Sequence, residues 1–178
     1  MIMSNSAAVD PRDFIRDVAD FPKPGIVFKD ITPLLADPRA FQATIDRLAE
    51  GLGGLGIDAI VGPEARGFLF AAPLALRLEL PFVPIRKPGK LPSKTFSHEY
   101  QLEYGSDRLE IHQDALSEGS NVAVVDDVLA TGGTVRACCD LITKVGAKVA
   151  ACGFAIELSF LNGREILKPH RIVSVITY

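Results

Sequence analysis

Asp126 and Asp127 stand side by side after the apolar run Val122, Ala123, Val124 and Val125, and Ala130, Thr131, Gly132, Gly133 and Thr134 follow closely. Two adjacent carboxylates can accept hydrogen bonds from the vicinal hydroxyls of a ribose, or help hold a cation. The small residues leave space for a ligand: Gly132 and Gly133 let the backbone come close to it, and Thr131 and Thr134 add hydroxyl donors. From Val135 to Val145 the apolar residues recur at helical spacing. A helix N-terminus leaves backbone N–H groups unpaired and carries partial positive charge, so it attracts phosphate. An isolated Asp-Asp pair reads as two acids at a tight strand-to-helix turn, where the dipole favours them. The whole string has the order a sugar-phosphate site needs: acids for the ring hydroxyls, loop and helix start for the phosphate.

Three further groups could take part. Arg66 falls near the start of an expected helix, where a cation opposes the dipole; this points to an anion close by, or to a surface pair with Glu64. Arg86, Lys87, Lys90 and Lys94 come close together with no acid among them, and Pro88, Gly89 and Pro92 keep that stretch irregular. Residues 86–110 therefore read as a long flexible loop, which in a compact domain is a lid or binding element more often than a solvated run. Phe28 lies in a proline-broken segment, where a lone aromatic reads as a plug in the core. By contrast GLGGLG, residues 51–56, matches the dinucleotide fingerprint only formally, because it follows a helix and precedes a strand.

The elements that must position these groups alternate. Strands are expected at 57–62, 81–86, 122–126 and 149–157, with a last one in RIVSVITY. Helices are expected from Asp10-Pro11, with Phe14 and Val18 on its inner face, and from Asp37-Pro38, with Phe41, Ile45, Leu48 and Leu52 on one face. Two more are expected at 68–80 and 135–145. The pattern implies an α/β fold with a parallel sheet flanked by helices, its ligands bound beyond the carboxyl ends of the strands. The acidic pair, Arg66 and the basic loop all begin there. Pro84 has no N–H to give, which puts its strand near an edge.

The chain has 178 residues, 48% of them hydrophobic, enough for one domain with a sizeable core. A net charge of -3 gives no electrostatic case for nucleic acid. No apolar run reaches membrane-spanning length and the N-terminus has no export signal, so a cytoplasmic setting is expected. Three cysteines make no disulfide framework, and no Cys/His cluster has zinc spacing.

VVDDVLATGGT resembles the phosphoribosyl-pyrophosphate signature of the type I phosphoribosyltransferases, in the form carried by the adenine phosphoribosyltransferases. EARGF and RKPGKLP…LEYG extend the resemblance over roughly residues 20–178. It implies a type I phosphoribosyltransferase fold in a single domain, with a small N-terminal hood at 21–36 and a flexible flap within 86–110. It implies transfer of 5-phosphoribosyl from phosphoribosyl pyrophosphate to adenine, giving AMP and pyrophosphate, in purine salvage. Phe28 would stack on the base, backbone groups at Val27 and Lys29 would read its edge, and Leu158 would lie on its other side. Arg66 would belong to the pyrophosphate loop, with a cis peptide at Glu64–Ala65; many relatives have Asp-Ser there. Lys87 and Lys90 would meet pyrophosphate, in part from a neighbouring subunit, which implies a homodimer, and Arg86 beside them would be substrate-binding. Asp126 and Asp127 would hold the ribose, and Ala130, Thr131, Gly132, Gly133 and Thr134 its phosphate. Glu103 would be the acid/base on the flap and Tyr104 its neighbour near the ligand. Mg2+ would be carried mainly by the substrate, with no direct protein ligand. A xanthine or guanine phosphoribosyltransferase is one alternative reading. The other is a non-catalytic sensor of phosphoribosyl pyrophosphate, although too few residues precede the hood for an added DNA-binding element.

Overall fold

The prolines of the first forty residues permit only short elements there. The computed structural model describes residues 9–101 and 106–178, in two compact units divided between Arg47 and Leu48. In the first unit a 3-10 turn at Pro11–Phe14 leads into β1 (Arg16–Ala19), β2 (Val27–Asp30), α1 (Thr32–Ala36) and the start of α2 (Pro38–Leu52). The helix expected from Asp10-Pro11 is thus a single turn. Asp10 does cap it, accepting from the Arg12 N–H at 3.2 Å, but Val18 sits in β1 opposite Phe28. A long-range antiparallel pairing, tied by Arg16 to Asp30 at 2.5 Å, overrides the local start signal. Asp37 begins α2 as its sequence implies, with one carboxylate oxygen accepting from the Arg39 and Ala40 N–H groups at 2.9 Å each.

The second unit holds β3 (Ala59–Pro63), α3 (Gly67–Leu78), β4 (Phe82–Ile85), β5 (Thr95–Gln101), β6 (Ser106–His112), β7 (Asn121–Leu129), α4 (Gly133–Val145), β8 (Lys148–Glu157), α5 (Gly163–Ile166) and β9 (Arg171–Thr177). Five strands form one sheet in the order β4-β3-β7-β8-β9, every neighbouring pair parallel. The strand with Pro84 is at the edge, where its missing N–H costs no ladder bond. Val61, Val124, Cys152 and Phe154 are buried, and so are the alternate residues Ile60, Ala123, Val125 and Ala155. Both faces are therefore covered, as continuous apolar runs in a parallel sheet require. Among the described residues no helix is long and apolar enough to cross a membrane.

Two elements differ from the sequence reading. β7 does not stop at Asp126 but continues to Leu129, because β8 runs on beside it and pairs Val128 with Ile156 and Leu129 with Glu157. The segment read as an irregular loop holds an antiparallel ribbon, with β5 paired to β6 from Thr95–His112 to Gln101–Ser106. Its physical basis is a period of two: Leu109 and Ile111 are fully buried, and Phe96 and Tyr100 pack against the same core. Among the described residues of this segment, the stretch up to Lys94, with its glycine, prolines and cations, lacks regular pairing beyond one bridge from Arg86 to Glu110.

Candidate active site

The carboxyl ends of β3, β4 and β7 bring three short segments of the second unit together. Because β7 passes straight through both acids, Asp126 and Asp127 point to opposite faces of the strand. The Asp127 N–H donates to a carboxylate oxygen of Asp126 at 2.9 Å. A Cβ on Gly67 would lie 3.0 Å from that oxygen, so α3 starts hard against Asp126. Burial first, and then the neighbouring Asp127 charge, push the Asp126 carboxyl well above the usual carboxylate range.

Arg66 stands just before α3 and pairs with Asp127, its Nε 2.5 Å from a carboxylate oxygen. This is a charge-assisted contact to an acid that is 5% exposed, from a guanidinium that is itself largely exposed. The alternative pairing of Arg66 with Glu64 is not the one formed. Glu64 accepts from Arg86 Nε at 2.9 Å and from the Lys87 N–H at 3.0 Å, and the Arg86 bond holds its carboxyl below the usual range. The Glu64–Ala65 peptide is cis. Lys87 forms an ion pair with Asp107 on β6, and Lys90 is exposed.

The small-residue loop meets a second backbone. Gly132 has φ +87°, a left-handed conformation natural to glycine, and α4 starts at Gly133. A Cβ on Gly132 would lie 2.9 Å from the Gly163 carbonyl oxygen, and one on Gly163 would lie 2.3 Å from the Ala130 carbonyl oxygen. The turn before α5 thus presses on Ala130–Gly132 with no side chain between them. Nothing in the sequence reading singled out Gly163; the Asn-Gly dipeptide marks a turn, but not what the turn rests on.

Just before that turn, Leu158 is half-buried and its N–H donates to the Leu129 carbonyl at 2.9 Å. Glu157 is buried and bound at both oxygens, by Arg164 at 2.5 and 2.6 Å and by the Ser174 hydroxyl at 2.6 Å. These contacts fix the segment that carries Leu158 and Gly163, and they too went unread.

Val27, Phe28 and Lys29 belong to the first unit. Phe28 is half-buried with its ring 5.2 Å from Phe21, edge to face, and Lys29 pairs with Asp17 at 2.7 Å. The strand that carries them replaces the loop expected there, and Val27 is the more exposed of the three. Glu103 and Tyr104 lie outside the described residues.

Residues 34–171 match the model of the phosphoribosyl transferase domain. An adenine phosphoribosyltransferase of Kosmotoga olearia is 57% identical over 167 residues, covering 94% of this chain and 98% of the relative. One from Chloroflexus aurantiacus is 56% identical over 169 residues, covering 95% and 98%. Among solved structures, the adenine phosphoribosyltransferase of Thermoanaerobacter pseudethanolicus superposes with a TM-score of 0.91 at 54% identity, covering 94% of this chain and 97% of that one. The Saccharomyces cerevisiae enzyme, solved with adenine and an imino-altritol bisphosphate, gives 0.86 at 42% identity, covering 92% and 95%. A parallel sheet with paired acids and a glycine loop at the end of its central strand, matched over nearly the whole length at these identities, places this chain in the adenine phosphoribosyltransferase family.

Proposed function

We propose that this chain transfers 5-phosphoribosyl from phosphoribosyl pyrophosphate to N9 of adenine, releasing pyrophosphate and forming AMP. The observation that carries the reading is the pairing of Arg66 with Asp127 at the ends of two adjacent strands, next to the 130–134 loop. A cation for pyrophosphate, acids for ribose hydroxyls and a helix start for phosphate then serve one substrate. Departure of pyrophosphate makes the anomeric carbon cation-like, so the site must neutralise the leaving group and hold the ring. Arg66, Arg86, Lys87 and Lys90 supply the first by electrostatic stabilisation. Asp126, Asp127 and residues 130–134 supply the second by positioning. The base-contacting roles of Val27, Phe28, Lys29 and Leu158, and that of Tyr104 near the ligand, rest on the family resemblance.

The donor chemistry suits Mg2+ brought in by the substrate. Among the described residues no three His, Cys, Asp or Glu side chains gather into a metal cage. Mg2+ commonly keeps several waters and binds substrate phosphates, and Asp126 and Asp127 can accept from such waters as well as from ribose hydroxyls. When bound it adds charge neutralisation on the pyrophosphate. A homodimer, on the same family grounds, and a cytoplasmic location, on the sequence grounds given above, complete the reading.

Glu103 is the proposed acid/base for the base's proton. Glu103→Gln is expected to lower turnover by about tenfold with substrate affinities little changed. That is below the 10²–10⁴ usual for general acid–base groups, because leaving-group departure leads the reaction. Unchanged turnover in steady-state assays would remove Glu103 from the chemistry. The overall reading is tested by pyrophosphate release with Mg2+ and phosphoribosyl pyrophosphate, offering adenine, guanine, hypoxanthine and xanthine separately. Turnover with adenine alone is expected. Turnover with another base would discard Phe28 and Leu158 as adenine-selective contacts, and binding without turnover would favour a sensor.

A further inference from the structure

Lys87 is expected to meet pyrophosphate, yet its ammonium is occupied by Asp107. Asp107 stands opposite Tyr100 in the ribbon, and the Tyr100 hydroxyl donates to the same carboxylate at 3.3 Å. Thr134, in the phosphate loop, is also among the side chains next to that hydroxyl. The base of the ribbon is fixed to α4: Phe96 packs on the core, Lys144 donates to the Ser97 carbonyl at 3.2 Å, and His98 lies 3.5 Å from Asp140. One carboxylate on an anchored ribbon therefore holds Lys87 directly and Tyr100 beside the phosphate loop.

The geometry points to Asp107 as a latch on the substrate site, a carboxylate that holds Lys87 until the pyrophosphate group of phosphoribosyl pyrophosphate displaces it. The inference rests on the reading of Lys87 as a pyrophosphate ligand. The pair is suited to exchange. Lys87 and Asp107 side chains are 40% and 26% exposed, so solvent weakens the bond, and pyrophosphate brings more charge than a carboxylate. Asp107 stays ionised to compete, because its bond to Lys87 holds its carboxyl below the usual range. The latch makes Asp107 a positioning residue: it sets affinity for the substrate without touching the reacting atoms.

The test is calorimetric titration of phosphoribosyl pyrophosphate with Mg2+ into the full chain and four variants: Asp107→Asn, Asp107→Ser, Lys87→Met and the Asp107→Asn/Lys87→Met double variant. Asp107→Asn is expected to bind about three- to fivefold more tightly, the scale of a partly exposed ion pair. Asp107→Ser should repeat the gain. Lys87→Met should bind more weakly, and adding Asp107→Asn to it should then give no gain. A latch is ruled out if Asp107→Asn binds no more tightly, or if its gain persists undiminished in the Lys87→Met background, since that would be general repulsion by a nearby acid. Wild-type affinity in Lys87→Met would overturn the Lys87 reading, and the latch with it.

Discussion

Gly163→Ala is expected to lower kcat/KM for phosphoribosyl pyrophosphate by about 100-fold while leaving the fold intact. The added methyl would sit 2.3 Å from the Ala130 carbonyl oxygen and 2.8 Å from Leu129 Cδ1. Leu129 is 1% exposed and cannot turn away, so backbone must move. Gly132 of the same loop also abuts Gly163, its own would-be Cβ 2.9 Å from the Gly163 oxygen, so movement of either segment shifts the 130–134 loop. A displacement on the order of 1 Å at a substrate-positioning loop costs about 10²-fold in rate. Overpacking itself costs about 1–3 kcal/mol, well short of unfolding a domain of this size. Steady-state kinetics and a thermal melt separate the two effects. A variant that melts lower but keeps wild-type kcat/KM would show that Gly163 supports the fold without placing the loop.

Gly163 also marks where reading the sequence stops. What depends on neighbours along the chain was legible. The apolar run at Val122 to Val125 and the acids after it give the central strand and its charged end; Asp37-Pro38 starts α2; Pro84 keeps β4 at the edge. What depends on distant partners was not. Asp10-Pro11 carries a good helix signal, yet pairing with β2 converts the following residues to a strand. The cations and prolines of 86–94 gave the whole segment the look of a loop, and the alternation of Phe96, Tyr100, Leu109 and Ile111 was masked beside them. Arg66 could have paired with Glu64 on sequence grounds. Only the fold shows that Arg86 and the Lys87 N–H occupy Glu64, leaving Asp127 as the Arg66 partner. Close approach of two backbones, as at Gly132 and Gly163, leaves no sequence trace beyond a glycine at each position.

Asp126→Asn should lose activity and gain stability together, with a pH dependence that identifies the cause. The variant keeps an oxygen to accept the Asp127 N–H but can no longer ionise to give a ribose hydroxyl a charged acceptor. A hydrogen bond to a charged group is worth about 1.5–3 kcal/mol, so kcat/KM should fall by about 10- to 100-fold. In the folded protein, burial and Asp127 raise the Asp126 carboxyl above its unfolded value. Below the ordinary carboxylate value of about 3.9 both states hold the proton, and Asp126 carries no penalty. As pH rises above it, the unfolded chain releases the proton while the folded chain keeps it. The folded state then binds more protons, so wild-type stability falls with pH until the raised folded value is passed. Asparagine has no proton to release and escapes that loss. Thermal melts near pH 4 and pH 8 should show the two proteins nearly equal in acid and the variant more stable at the higher pH. An equal difference at both would show that the Asp126 carboxyl ionises in the folded protein as readily as in the unfolded chain, against the raised value argued above.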